Sequence, residues 1–370
     1  MPLNVLVVPD KFKGTLTAGE AARAIQRGWR RVRSEDTLNL LPMSDGGDGF
    51  GEIISGLLGA QPQWVKAVDA AHRRCKVCWW WEPETQLAVI ESAKAIGLAM
   101  LPPGEFHPFQ LDTRGVGTVL RAALARGAEQ ILIGIGGSST NDGGFGMARL
   151  LGWKFLDNQA KPIERWTDLA QLAEIQPPKR VVPAKIVVAV DVQNPLLGSQ
   201  GATRIYGPQK GLRASDFRAV EACLRQLAKV MKAQFKRDLA EVPGAGAAGG
   251  LGFGLFAFLG ARPEPGFELF ARHAQLNRTL RRTDLVITAE GAIDSSTLMG
   301  KGAGQVAQLC RDQEIPCIGL AGVAARSRAL NKLFSQVHAL TDLTPPDDAR
   351  TRAGYWLERV AERAAAQAKA

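Results

Sequence analysis

Five short apolar segments of this chain end in a carboxylate with glycine close by. Leu3–Val8 runs into Asp10-Lys11-Phe12-Lys13-Gly14, and Thr37–Leu41 into Asp45-Gly46-Gly47-Asp48-Gly49. Gln130–Ile135 runs into Gly136-Gly137-Ser138-Ser139-Thr140-Asn141-Asp142-Gly143-Gly144. Lys185–Val190 leads to Asp191 with Asn194 beyond it, and Leu285–Ala289 to Glu290-Gly291-Ala292-Ile293-Asp294. Successive glycines let backbone N–H groups converge on one anion, and a following helix adds its N-terminal dipole. Asp, Asn, Ser and Thr oxygens suit a hard cation such as Mg²⁺, and a carboxylate can accept a substrate proton. Phosphate cradle, cation, lysine and base are together the parts of phosphoryl transfer. Each part has a plainer use, because Asp-Gly-Gly is an ordinary turn and Asp caps helices. Five strand ends of one kind favour a site.

Basic residues inside these motifs say more than the total charge. Lys11 and Lys13 flank Phe12 and share a side if the chain is extended there; Arg114 opens a helix; Lys210 sits in Gly207-Pro208-Gln209-Lys210-Gly211; Lys301 follows Gly300. Any of them could hold a carboxylate or a phosphate. The net charge of +10 is otherwise scattered, with +8 of it in residues 63–278 and no basic run longer than two. That speaks against nucleic acid as a partner. Gly244-Ala245-Gly246-Ala247-Ala248-Gly249 has the G-x-G-x-x-G form, but a polar stretch precedes it instead of a buried strand, which weakens it as a dinucleotide fingerprint. It reads as a loop opening a helix at Gly249–Leu259, with N–H groups available to an anion or small residues packed on a neighbour. Walker and protein-kinase motifs are absent.

The five cysteines include one C-x-x-C pair, Cys75 and Cys78, without a second pair at zinc spacing, so they read as structural thiols. The four histidines are far apart, which disfavours a histidine metal site. The start of the chain lacks the form of a secretory signal, and no apolar run nears the ~20 residues of a membrane span. The expectation is a cytoplasmic protein with no membrane partner.

The elements that must position these residues follow from periodicity. The first 60 residues read strand, helix, strand, helix, with Thr17 and Glu20 as a capping box for a helix to about Arg31. Gln63–Val68, Lys76–Trp81 and Leu87–Ser92 read as successive strands without long helices between them, as in a mixed sheet. Helices are expected at about Gly115–Ala125 and Ser215–Lys236. From Leu285 the strand–helix alternation returns, with strands at Pro316–Leu320 and Gln336–Leu340 and a last helix capped at Asp347 or Asp348. The expected fold is α/β: a discontinuous flavodoxin-like parallel-sheet domain from residues 1–62 and 279–370, with an inserted α/β domain with a mixed sheet at 63–278.

Taken in order, these motifs resemble the bacterial two-domain glycerate kinases, and the resemblance spans essentially the whole chain. It rests on Pro9-Asp10 with Lys13-Gly14, Asp45-Gly46-Gly47-Asp48-Gly49, Arg114-Gly115, the run Gly134–Gly144, Asp191 with Asn194-Pro195-Leu196, Gly207–Gly211, Pro243–Gly250, and Glu290-Gly291 with Ile293-Asp294. It implies ATP-dependent phosphorylation of D-glycerate with Mg²⁺, with 2-phosphoglycerate favoured over 3-phosphoglycerate as product. Where the family usually has arginine, this chain has Ala292, and Asp48 stands where glutamate is common.

The roles expected on this reading are as follows. Lys13 and Arg114 meet the glycerate carboxylate, with Lys11, Asp10, Asp48 and Asn194 also at the substrate. Asp191, and after it Asp45, serves as base or orienting carboxylate. Gly136, Gly137, Ser138, Thr140, Asn141, Lys210, Gly246 and Gly249 take ATP, and Asp294, Glu290 and Asp142 take Mg²⁺. The partners are small molecules only, with the chain a monomer or homodimer. Two other readings stay open: an NAD-dependent oxidoreductase acting on a small hydroxy acid, and a non-catalytic binder of small anions.

Overall fold

The structure, a computed structural model, describes residues 1–179, 184–298 and 302–368. It divides into two compact units, one of residues 1–45 and 267–370, the other of residues 46–266.

The terminal unit contains strands β1 (Asn4–Pro9), β2 (Thr37–Leu40), β11 (Leu285–Ile293), β12 (Cys317–Ala324) and β13 (Gln336–Ala339). All are parallel, in the order β13-β12-β11-β1-β2. Counted within the unit this is 2-1-3-4-5, the flavodoxin order expected from the sequence. Val5 and Val7 of β1, Leu285 and Ile287 of β11, and Ile318 and Leu320 of β12 are buried with Ile25, Trp29, Leu357 and Val360. Those last four lie on the helices Ala18–Arg30 and Ala353–Gln367. The Thr17–Glu20 capping box is present. Gly28 is the contact point of the two helices, since a Cβ there would stand 2.0 Å from the Glu358 carbonyl oxygen.

The inserted unit carries β3 (Gln61–Val68), β4 (Arg74–Glu82), β5 (Leu87–Glu91), β6 (Gln130–Gly134), β7 (Lys154–Asp157), β8 (Leu172–Gln176), β9 (Lys185–Ala189) and β10 (Arg262–Glu264). Six of these form a mixed sheet in the order β10-β9-β6-β5-β4-β3, antiparallel at β3/β4 and β4/β5 and parallel elsewhere. β7 and β8 form a separate hairpin. Helices Arg114–Ala125, Phe217–Phe235 and Ala247–Leu259 contribute to its core.

The compact units divide at 45/46 and 266/267, beside the expected 62/63 and 278/279. Three expectations need correction. The helix Phe50–Leu58 packs on the inserted sheet, where Gly51 lets the Trp80 ring approach. β11 does not stop at Ala289: it runs to Ile293 because Ala292 and Ile293 pair with Val323 and Ala324 of β12. The last helix does not begin at Asp347. Pro345 and Pro346 start a separate short helix, Pro346–Thr351, whose Asp348 accepts hydrogen bonds from Thr344 Oγ1 and Trp356 Nε1.

Candidate active site

In the terminal unit chain order reverses between β1 and β11: β1 leads outward to β2, and β11 leads the other way to β12 and β13. Open α/β sheets bind ligands at such a switch point, outside the carboxyl ends of the strands. A cleft of about 820 Å³ lies there, lined among others by Asp10, Lys11, Lys13, Asp45, Glu290, Asp347 and Arg350. The register explains the grouping. Pro9 pairs with Ala289, so Asp10 and Glu290 come next on neighbouring strands. Beyond β2 the chain stays beside β1 through Leu41 N–H to Val7 O (2.8 Å) and Met43 N–H to Pro9 O (3.0 Å), which carries Asp45 to the same cleft. Phe12 turns inward and bridges to Leu16, leaving Lys11 and Lys13 on the cleft wall.

These carboxylates feel one another. Burial and the charge of Asp45, with a smaller push from Glu290, raise Asp10 to about 7. The Lys11 N–H, 2.7 Å from Asp10 Oδ1, and the Lys11 ammonium oppose that shift. Glu290 Oε1 accepts from Thr297 Oγ1 at 2.6 Å. Asp294 Oδ1 accepts from the N–H (2.8 Å) and hydroxyl of Ser296.

The inserted unit treats its acidic residues differently. Asp142 is fully buried; Oδ2 accepts from Thr113 N–H (2.9 Å), Thr113 Oγ1 (2.8 Å) and Gly146 N–H (2.9 Å), and Oδ1 from Gly144 N–H (3.2 Å). Burial, then the charge of Asp112, push it up to about 6. Lys210 is buried too, and Nζ donates to Ser138 Oγ (2.9 Å) and Thr140 O (2.7 Å). Burial pulls its ammonium down to about 7 against the attraction of Asp142. Asn141 is buried beside them, and neither its Oδ1 nor its Nδ2 has a hydrogen-bond partner among the described residues.

The glycines here serve close packing. A Cβ on Gly137 would lie 2.0 Å from Asp48 Oδ1; on Gly249, 1.9 Å from Thr140 O; on Gly246, 2.1 Å from Pro195 O. Ala248, Gly249 and Gly250 have left-handed backbone inside the helix that the glycine run opens. This is no dinucleotide turn after a buried strand, and the packed-loop reading accounts for it. Gly136 and Ser139 direct their N–H groups to Gly46 O (3.1 Å) and Ile96 O (2.9 Å), so those two hold the loop and are not turned toward a phosphate.

The remaining expected residues are placed as follows. Asp191 Oδ1 accepts from Gly266 N–H at 2.8 Å, tying strand β9 to the segment after β10. Asn194 Nδ2 donates to Gln200 O (2.8 Å), and its Oδ1 accepts from Tyr206 Oη (2.6 Å). Arg114 is exposed at the first turn of its helix. Lys301 lies outside the described residues. Asp294 and Glu290 lie in the terminal unit and Asp142 in the inserted one; both oxygens of Asp142 accept hydrogen bonds, and among the described residues no group of three or more His, Cys, Asp or Glu is placed to hold a metal ion.

Sequence reasoning missed Glu91, Asp347 and Arg350. Glu91 ends β5 as the other carboxylates end their strands, and it accepts from Gly49 N–H (3.1 Å) and Gly51 N–H (3.0 Å). Burial raises it above the usual carboxylate range, while Lys94 opposes. The strand-end rule could have found it. Asp347 and Arg350 had no local signal, since a helix brings them to the cleft.

Known proteins carry the same layout. The sequence profile of the glycerate kinase family matches residues 5–369. A glycerate kinase of Halalkalibacterium halodurans is 37% identical over 368 residues, covering 97% of this chain and 96% of that protein. The glycerate 2-kinase of Escherichia coli is 37% identical over 329 residues, covering 86% and 85%. A crystal structure of a candidate glycerate kinase 2 from Salmonella typhimurium superposes with a TM-score of 0.82 at 33% identity, covering 99% of this chain and 98% of the other. With the flavodoxin-ordered sheet, the mixed sheet and a family match that runs from one end of the chain to the other, the chain belongs to the glycerate kinase family.

Proposed function

We propose that this chain transfers the terminal phosphoryl group of ATP to the 2-hydroxyl of D-glycerate. The observation that carries the reading is the cleft at the β1/β11 switch point, which Lys11 and Lys13 line together with the carboxylates of Asp10, Asp45 and Glu290. A hydroxy acid offers one anionic end and one ionisable hydroxyl. Lys13 and Lys11 suit the first, as charge-assisted donors to a carboxylate. Asp45, Asp10 and Glu290 suit the second, by orienting the hydroxyl and taking its proton. Family membership supports glycerate as that acid, and the naming of the Escherichia coli relative supports the 2-position.

ATP is assigned to the inserted unit's loops. Ser138, Thr140 and Lys210 form a compact polar group, and the buried, unpartnered amide of Asn141 marks a place where a further polar group is wanted. Lys210 would carry its full charge once a phosphate stands near it. Asp48 and Arg114 are kept as substrate contacts, whereas Asn194 and Asp191 act through the loops they tie. Magnesium enters bound to the phosphates of ATP and not in a protein cage, which is its usual habit. Five free cysteines suit a reducing cytoplasm, and no described helix is long and apolar enough to cross a membrane.

A coupled assay of ADP release over glycerate, hydroxypyruvate and tartronate tests the reading. Glycerate should give the highest kcat/KM. Equal ADP release with and without glycerate would refute it.

A further inference from the structure

We propose that the cleft of the terminal unit takes aldonic acids of four and five carbons as phosphoryl acceptors besides glycerate; this deepens the function proposed above and rests on it. The cleft holds about 820 Å³. Cavities of roughly 300–1,000 Å³ take drug-sized ligands, so a three-carbon acid fills a small part of it. The extra room has a definite place. Strands β1 and β13 reach only to Pro9 and Ala339, which pair with Ala289 and Ala321, whereas β11 and β12 continue together to Ile293 and Ala324. That two-stranded ribbon carries the wall of the cleft past Glu290. Side chains alternate along a strand, so Ala292 shares the face of Glu290, and Val323, its partner across the ribbon, stands beside it. Two residues of strand lengthen the wall by about 7 Å, and both side chains there are apolar.

The polar lining of this room comes from the chain after β13, as Thr341, Asp347 and Arg350. On the helix Pro346–Thr351, Asp348 is spent on Thr344 Oγ1, Trp356 Nε1 and Arg352 (3.8 Å), which leaves Asp347 and Arg350 as the charged side chains that line the cleft. A carboxylate only accepts hydrogen bonds, a guanidinium only donates them, and a hydroxyl does both. A row of hydroxyls is therefore matched by Asp347, Arg350 and Thr341, while its C–H edge lies on Ala292 and Val323. An aldonate is glycerate lengthened by further hydroxyl-bearing carbons. It repeats the end that suits Lys11 and Lys13 and places its added hydroxyls in this room. The reaction is unchanged. The acceptor oxygen bonds to the terminal phosphorus of ATP, the bond from that phosphorus to the bridging oxygen breaks, its electron pair leaves on ADP, and the hydroxyl proton is released to water.

The test is steady-state ADP release with D-glycerate, D-erythronate and D-ribonate in the unaltered chain, Ala292→Phe and Arg350→Gln, with circular dichroism to check folding. The unaltered chain should use both aldonates with kcat/KM within about tenfold of that for glycerate. Ala292→Phe fills the room and should lower the ratio of aldonate to glycerate kcat/KM at least about tenfold, with KM for ATP held. Arg350→Gln removes a donor to the added hydroxyls and should lower the same ratio about fivefold. Should Ala292→Phe not fold, Arg350→Gln decides. Glycerate turnover with no ADP from either aldonate overturns the substrate range alone. A ratio that neither variant moves, or an Ala292→Phe enzyme whose main change is a raised KM for ATP, gives the room to another ligand and overturns it as well. No ADP with any of the three acids overturns the function proposed above and the substrate range with it.

Discussion

In the terminal unit, Asp10 follows strand β1 and Glu290 stands within the neighbouring parallel strand β11, and both line a cleft with Asp45 and two lysines. In the inserted unit, Glu91 ends a parallel strand and Asp142 follows another, yet their oxygens turn inward onto the N–H groups of Gly49, Gly51, Thr113, Gly144 and Gly146. The local pattern of strand, acidic residue and glycine is the same in both. What differs is the supply of donors. Where a glycine-rich loop folds back over the strand end, it brings N–H groups that need an acceptor, and the carboxylate becomes part of the backbone's own hydrogen bonding. Where the loop leads away, as at Phe12–Leu16, the carboxylates line one cleft, and burial with the charges of Asp45 and Glu290 raises the proton affinity of Asp10.

The sharpest way to separate the two roles is Asp142→Ala. It strands the donors of Thr113 and Gly146 in the core and removes the charge nearest the buried Lys210, so a loss of at least about 3 kcal/mol in unfolding free energy is expected. Asp45→Asn in the other unit should change stability by less than about 1 kcal/mol. Chemical denaturation of both variants measures the contrast, and equal losses would erase it. Next in size is Gly249→Ala, which combines left-handed backbone (φ +68°) with a Cβ 1.9 Å from Thr140 O. It should cost about 2 kcal/mol or more, read as a lowered thermal midpoint.

Lys210→Met should raise KM for ATP about tenfold by removing a charge-assisted contact, and change KM for glycerate far less. Steady-state kinetics with each substrate varied in turn would show it. A further effect concerns stability against pH. Asp10 ionises near 3.9 when unfolded and near 7 when folded, so between those values the folded chain holds the extra proton. That contribution is fully present below pH 4 and is lost as pH rises through 7. The thermal midpoint of Asp10→Asn relative to the unaltered chain should therefore climb between pH 4 and pH 8.

The terminal sheet was legible because its central strands β1, β11 and β12 are largely buried and read as continuous apolar runs, and because the alternation stops and restarts in the chain. The hairpin β7–β8 and the short β10 were not, since their residues carry no strong periodicity and form strands through long-range pairing. Asp10, Asp45 and Glu290 were visible as strand-end carboxylates, and the register of β1 and β11 then brings them to one cleft. Nothing local distinguished them from Asp142 or Asp191, whose partners, Thr113 and Gly266, lie 29 and 75 residues away in the chain. Lys210 shows the same limit. Its sequence looks like a surface turn, and only the fold buries it against Ser138 and Thr140.

The decisive measurement is proton-coupled phosphorus NMR of a reaction containing ATP, magnesium, D-glycerate and the chain. Transfer to the 2-hydroxyl predicts a new phosphomonoester doublet, because a single proton sits on the carbon bearing the ester, growing as the terminal phosphate signal of ATP falls. A triplet would place the phosphate on the 3-hydroxyl, and ATP loss with inorganic phosphate alone would contradict phosphoryl transfer to glycerate altogether.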